Sequence, residues 1–136
     1  MAQESHVNRV LLTSQFFRGF KQLQKQRRFD DIDAVLEIIQ KLARLESVDS
    51  YRPHPLKGVR ELTELHVKPD LLLIYCYDGT LLKMDLYLEG LTTHDEVDRI
   101  ARVPRNVKKV KDVNSDEDID DLFEELMEDT VDIFDD

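Results

Sequence analysis

The run VNRVLL (7–12) is apolar and rich in β-favouring residues, and it passes directly to Thr13 and Ser14, types whose side-chain oxygens cap helix N-termini. In the following QFFRGFKQLQKQRR, Phe16 or Phe17, Phe20 and Leu23 recur at helical spacing, with bases elsewhere on the surface. This predicts a first helix, although Gly19 lowers its intrinsic propensity. Asp30 and Asp31 open a second helix over IDAVLEIIQKLARL, where Ile32, Val35, Leu36, Ile39 and Leu42 form one apolar stripe. Two amphipathic helices joined by a short polar turn predict an antiparallel pair.

SVDSYRPHPLKG reads as a loop, because Pro53, Pro55 and Gly58 interrupt regular structure. Three strand candidates follow: VRELTELHV (59–67), LLLIYCY (71–77) and TLLKMDLYL (80–88). Lys68-Pro69-Asp70 turns the chain between the first two, and Asp78-Gly79 predicts a two-residue hairpin between the second and third. The second strand is apolar at successive positions, as expected of a central strand. The order strand–helix–helix–strand–strand–strand predicts an α+β domain with helices on one face of a largely antiparallel sheet.

Beyond about residue 102 the pattern decays into RVPRNVKKVK, which reads as a basic linker. In the acidic end of the chain, Ile119, Leu122, Phe123, Leu126, Met127, Val131 and Phe134 recur at helical spacing, behind Ser115 as a cap and Asp116, Glu117 and Asp118 at the positive end of the dipole. An acidic amphipathic helix is predicted here. The net charge of −10 therefore hides an asymmetry: all 19 Lys and Arg lie within residues 1–111, whereas residues 112–136 carry acids and no base. Phosphate binding needs Lys and Arg, so the acidic total weighs against nucleic acid for the tail alone.

No apolar run approaches the roughly 18 residues of a membrane span, and MAQESHVNRV lacks a signal-peptide core. A cytoplasmic location is the expectation. The single Cys76 excludes an intrachain disulfide framework and a cysteine zinc finger. Within an apolar strand it reads as a small core residue.

The element order and several motifs in sequence resemble the RelE/YafQ-like toxins of bacterial toxin–antitoxin pairs, small ribosome-dependent mRNA endonucleases. The likeness runs from residue 7 to about 100. SQFFRGFKQLQK resembles the family's F-x-K-x-x-K-x-L helix, and PHPLKG, ELHVKPDLLLIY and TTH follow in the order of the YafQ branch. Composition marks 102–114 as a linker and 115–136 as an acidic amphipathic tail, and outside these the resemblance implies a RelE-like fold over 1–101. It also implies catalytic roles for His54, His66, Asp70 and His94, with mRNA, the ribosome and an antitoxin as partners and no cofactor. The departures are specific: Thr63 stands where the branch has an Arg, MDLYLEGL contains no Arg, and Asp98 replaces an expected aromatic.

Cleavage of this type uses the ribose 2′-hydroxyl as nucleophile on the adjacent phosphorus. It needs a base for that hydroxyl, an acid for the leaving 5′-oxygen and positive charge near the phosphate. Histidine suits both proton roles. Lys57, Arg60 and Lys68 are the available substitutes for the missing cation, and loss of such a donor typically costs on the order of 100-fold or more in rate. Three His and an Asp would also suit zinc, but the chain has no closely spaced ligand pair of the H-x-E-H or C-x-x-C kind.

Two functions follow. One is an mRNA-cleaving toxin weakened by the lost arginines. The other is a non-enzymatic relative that engages an antitoxin or mimics nucleic acid through its acidic tail. Residues 115–134 are expected to fold back over the basic body and mask its RNA-facing surface; the alternatives are a solubilising, partly disordered tail or docking on a partner.

Overall fold

The computed structural model describes residues 6–56, 61–80, 82–122 and 124–127. Its middle strand, β4 (Leu71–Thr80), shows why the sequence is apolar at successive positions. Leu71, Leu73 and Tyr75 belong to one core cluster, and Leu72, Ile74 and Cys76 to another on the opposite face. Around it the sheet is assembled from β1 (Arg9–Thr13), β2 (His54–Leu56), β3 (Leu62–Lys68), β5 (Lys83–Thr92) and β6 (Val107–Asp112), in the order β2-β3-β4-β5-β1-β6. Only β1 and β5 pair in parallel; the other ladders among the described residues are antiparallel. The α+β, largely antiparallel architecture expected from the element order is the one observed.

The larger core lies under α1 (Ser14–Lys25) and α2 (Phe29–Ala43). Thr13 caps α1 by accepting from the Phe16 amide, and its own hydroxyl donates to the Leu88 carbonyl at 2.8 Å. That one side chain ties the start of the helix to the sheet. Phe16, Phe17, Phe20 and Leu23 are buried, as are all five stripe residues of α2. At Gly19 the backbones of α1 and β5 approach closely: a Cβ there would stand 1.9 Å from the Leu91 carbonyl oxygen. The residue that weakens the helix on propensity is the one that allows it to seat on the sheet.

The smaller core, on the opposite face, is covered by a helix outside the expected pattern, α3 (Val97–Arg102). It buries Val97, Ile100 and Ala101 over Leu62, Leu72, Ile74 and Cys76. Beside this patch the carboxylate of Glu89 is almost wholly buried and paired with Arg105 at 2.6 Å. The Arg105 guanidinium also lies 3.8 Å over the Tyr87 ring. A buried carboxylate requires such a partner, so Arg105 pins the α3–β6 connection to the sheet. Burial and then Glu89 push the Cys76 thiol up to about 12, which keeps it protonated and unreactive near neutrality.

Three expectations are corrected. The chain does not turn at Asp78-Gly79. The ladder continues through Gly79↔Met84 and closes at Thr80↔Lys83, because Gly79, at φ 118°, bends the strand without leaving it. The linker assigned to 102–114 contains β6, which pairs with β1 from Arg9↔Asp112 to Thr13↔Val107. VKKVKD has no apolar alternation; its backbone supplies partners to an otherwise open edge. The loop over 47–58 includes the short strand β2 and a 3₁₀ turn, Asp49–Tyr51. Residues 57–60, with Lys57, Gly58 and Arg60, lie outside the described residues. Among the described residues no helix is long and apolar enough to cross a membrane.

The acidic tail is helical from α4 (Asp116–Asp120), with helical backbone again at 122 and 124–127. Asp118 accepts from the Asn114 and Ser115 amides, which hold its carboxyl below the usual range. This stabilising effect is present above the ordinary carboxylate pKa of about 4 and is lost as the pH falls through the lowered value. Ile119, Leu122 and Leu126 are buried in the main core, and Arg44 at the end of α2 pairs with both Asp116 and Asp120. Phe123, Val131 and Phe134 of the expected stripe lie outside the described residues.

Leu122→Ala should therefore cost about 2–5 kcal/mol in urea denaturation, while the exposed neighbour Glu124→Ala stays within about 0.5 kcal/mol. Equal, negligible effects would show that the tail is not part of the core. Gly19→Ala, which in a free helix would gain about 1 kcal/mol, should instead lower the thermal midpoint.

Candidate functional site

Alternation along β3 places Glu64 and His66 on the same face as Leu62, whereas Leu65 and Val67 enter the main core. On the edge strand beyond, His54 pairs with Glu64 in register. On the other side, β5 ends at Thr92 and the chain turns through a short 3₁₀ segment, His94–Glu96. Three histidines from three separate segments thus meet on the sheet face opposite α1 and α2. The His54 and His66 ring centroids are 5.7 Å apart and those of His66 and His94 5.5 Å, giving a row with His66 in the middle.

Each ring sits in a different hydrogen-bonding environment. His54 Nε2 pairs with the Glu64 carboxylate, and its Nδ1 lies 3.1 Å from the Arg52 carbonyl. Both partners are acceptors, so only the protonated ring makes both bonds at once. His94 Nε2 lies 3.1 Å from the Pro69 carbonyl and must donate there, which leaves Nδ1 as the free nitrogen. His66 is half-buried and makes no hydrogen bond among the described residues. Among the described residues the row therefore offers a ring held between two acceptors, a ring without a hydrogen bond and a ring with one nitrogen left over.

Glu64 was not among the candidates read from the sequence, yet it is buried against His54. A signal was present: it stands two residues before His66, and the period of a strand puts i and i+2 on one face. Asp70 is exposed in the turn after β3 and bonds to none of the three histidines among the described residues. Lys68 is exposed at the end of β3, and Lys57 and Arg60 lie outside the described residues. No group of three or more His, Cys, Asp or Glu side chains among the described residues is placed to hold a metal ion.

The tail does fold back, but not over this face. Ile119, Leu122 and Leu126 pack on the opposite side of the sheet within the main core, and α4 lies against α2. Lys111 of β6 meets Glu125 at 3.2 Å, and Gln24 of α1 meets Met127. Of the stretch expected to mask the RNA-facing surface, 115–122 and 124–127 lie away from the histidine row; 123 and 128–134 lie outside the described residues. The physical reason is that Ile119, Leu122 and Leu126 follow the apolar edge of the main core rather than the surface charge.

No curated protein sequence matches the chain. Among solved structures, a copper-bound mutant of a toxin from Helicobacter pylori is similar at 30% identity and a TM-score of 0.56, covering 67% of this chain and 99% of that one. A metal-bound toxin from Helicobacter pylori is similar at 28% identity and a TM-score of 0.55, with the same coverage of 67% and 99%. A chain of the E. coli DinJ–YafQ toxin–antitoxin complex shares the fold at 24% identity and a TM-score of 0.52, over 65% of this chain and 93% of that one. The family described as "Bacterial toxin of type II toxin-antitoxin system, YafQ" matches residues 8–99. That match runs from the start of β1 into α3 and takes in all three histidines, leaving β6 and α4 outside it. The chain belongs to the YafQ family of bacterial type II toxins.

Proposed function

We propose that this toxin cleaves mRNA on the ribosome at the histidine row and is neutralised by an antitoxin partner. The observation that carries the reading is the set of three rings spaced 5.5–5.7 Å apart on one open face, each with a different pattern of free and bonded nitrogens. His94 Nδ1 takes the proton of the ribose 2′-hydroxyl, whose oxygen attacks the adjacent phosphorus. The bond from phosphorus to the 5′-oxygen breaks, and His66 supplies the proton to that leaving oxygen. A 2′,3′-cyclic phosphate and a free 5′-hydroxyl result. His54, held between Glu64 and the Arg52 carbonyl, completes the row beside His66. The antitoxin follows from membership of the family and from the partner in the E. coli complex.

Single-turnover cleavage of ribosome-bound mRNA tests this. His66→Ala and His94→Ala should each lower the rate by about 100-fold or more. Glu64→Gln should weaken cleavage less than either, since it leaves the rings in place. Asp70→Asn, in an exposed turn, should change the rate less than about threefold. Induced expression should arrest growth, with relief by His66→Ala. An intact chain that neither arrests growth nor cleaves mRNA, yet binds an antitoxin, would replace this reading with the non-enzymatic binding module.

A further inference from the structure

A cavity of about 400 Å³ lies between α1 and the segment from the end of β5 into α3, within the range of about 300–1,000 Å³ of small-molecule sites. Its floor is apolar, including Leu91 and Ile100, and its walls carry Arg18, Arg28 and Arg99. Arg28 is paired with Asp31 and Arg99 with Glu96. Arg18, exposed on α1, has no ion pair or hydrogen bond among the described residues. The amide of Gln22, one helical turn on from Arg18, also faces this space. The cavity is thus built like a site for a flat, hydrogen-bonding ring joined to an anion: apolar surface for the ring, an amide for its edge and a guanidinium for the charge.

Its position gives that chemistry a use. Thr93, in the cavity wall, directly precedes His94. Thr92 and His66 are both register partners of Leu72, so their backbones are two strand spacings apart, about 10 Å. The cavity and the histidine row lie on either side of the chain segment that carries His94.

We infer that the α1–α3 cavity binds one nucleotide of the RNA strand flanking the cleaved bond, with its base on the Leu91–Ile100 floor and its phosphate at Arg18. The inference rests on the RNA-cleaving reading only in taking that nucleotide to belong to the substrate. Gln22 then becomes a specificity-determining side chain, because an amide offers both a donor and an acceptor to a base edge.

Titration of the full chain with 5′-AMP, 5′-GMP, 5′-CMP and 5′-UMP, and separately with inorganic phosphate, followed by amide NMR, tests this. At least one nucleotide should shift the Gly19 and Thr93 amides. Its affinity should fall about tenfold or more in Arg18→Ala and decline with added salt. Gln22→Ala should change which nucleotide binds best and, in mRNA cleavage, raise KM more than it lowers kcat. Three results would each overturn the inference: no shifts at these amides, shifts insensitive to Arg18→Ala, or phosphate binding as tightly as every nucleotide, the last leaving a simple anion site. The titration reads binding and not turnover. Nucleotide shifts in a chain that cleaves no mRNA would sink the nuclease reading alone, and cleavage without shifts would sink this inference alone.

Discussion

Leu71, Leu73 and Tyr75 leave β4 on one side and Leu72, Ile74 and Cys76 on the other, so neither face of this strand can remain in water. Burying each large apolar side chain is worth about 1.5–3 kcal/mol, and the rest of the fold supplies the cover. On one side α1, α2 and the tail close a continuous core. On the other, α3 is six residues long and covers only part of the sheet. Beyond it the sheet carries Glu64, His66 and His54 in place of apolar side chains. The site is open because the second cover is short.

The histidine row also depends on backbone more than on side-chain packing. The pleat of β3 orients His66, the β2–β3 register brings His54 to Glu64, and the Pro69 carbonyl fixes one nitrogen of His94. Strands and carbonyls placed by hydrogen-bonded ladders hold a reacting geometry more rigidly than loops do. Asp70, exposed in the turn closed by the Lys68↔Leu71 pair, bonds to none of the three histidines among the described residues.

What could be read from the sequence follows the range of the forces involved. The cap at Thr13, the stripe on α2 and the two-faced β4 are local patterns, and each was readable because burial imposes its period on the residues concerned. The three histidines were marked by resemblance, since nothing in their spacing brings them together. Glu64 was marked by strand period and still overlooked, because an acid inside a strand reads as solvated. β6 left no trace in VKKVKD, because its stability comes from main-chain bonds to a strand about a hundred residues earlier. Asp78-Gly79 has the composition of a turn, yet in place it is a bend within a ladder. For the tail, periodicity announced a helix but carried no information about which surface the helix would cover.

The place of β1 has a consequence for how the toxin comes into being. It comes first among the described strands, yet it lies between β5 and β6, so its two ladders wait for residues 83–92 and then 107–112. The side of the core closed by Ile119, Leu122 and Leu126 waits longer still. Contacts this distant in sequence are slow to form and leave strand edges exposed until they do. The histidine row depends on the same sheet, so a growing chain carries His54, His66 and His94 before it has a finished scaffold to hold them. A chain released before residues 107–112 are made leaves the β6-facing edge of β1 unpaired.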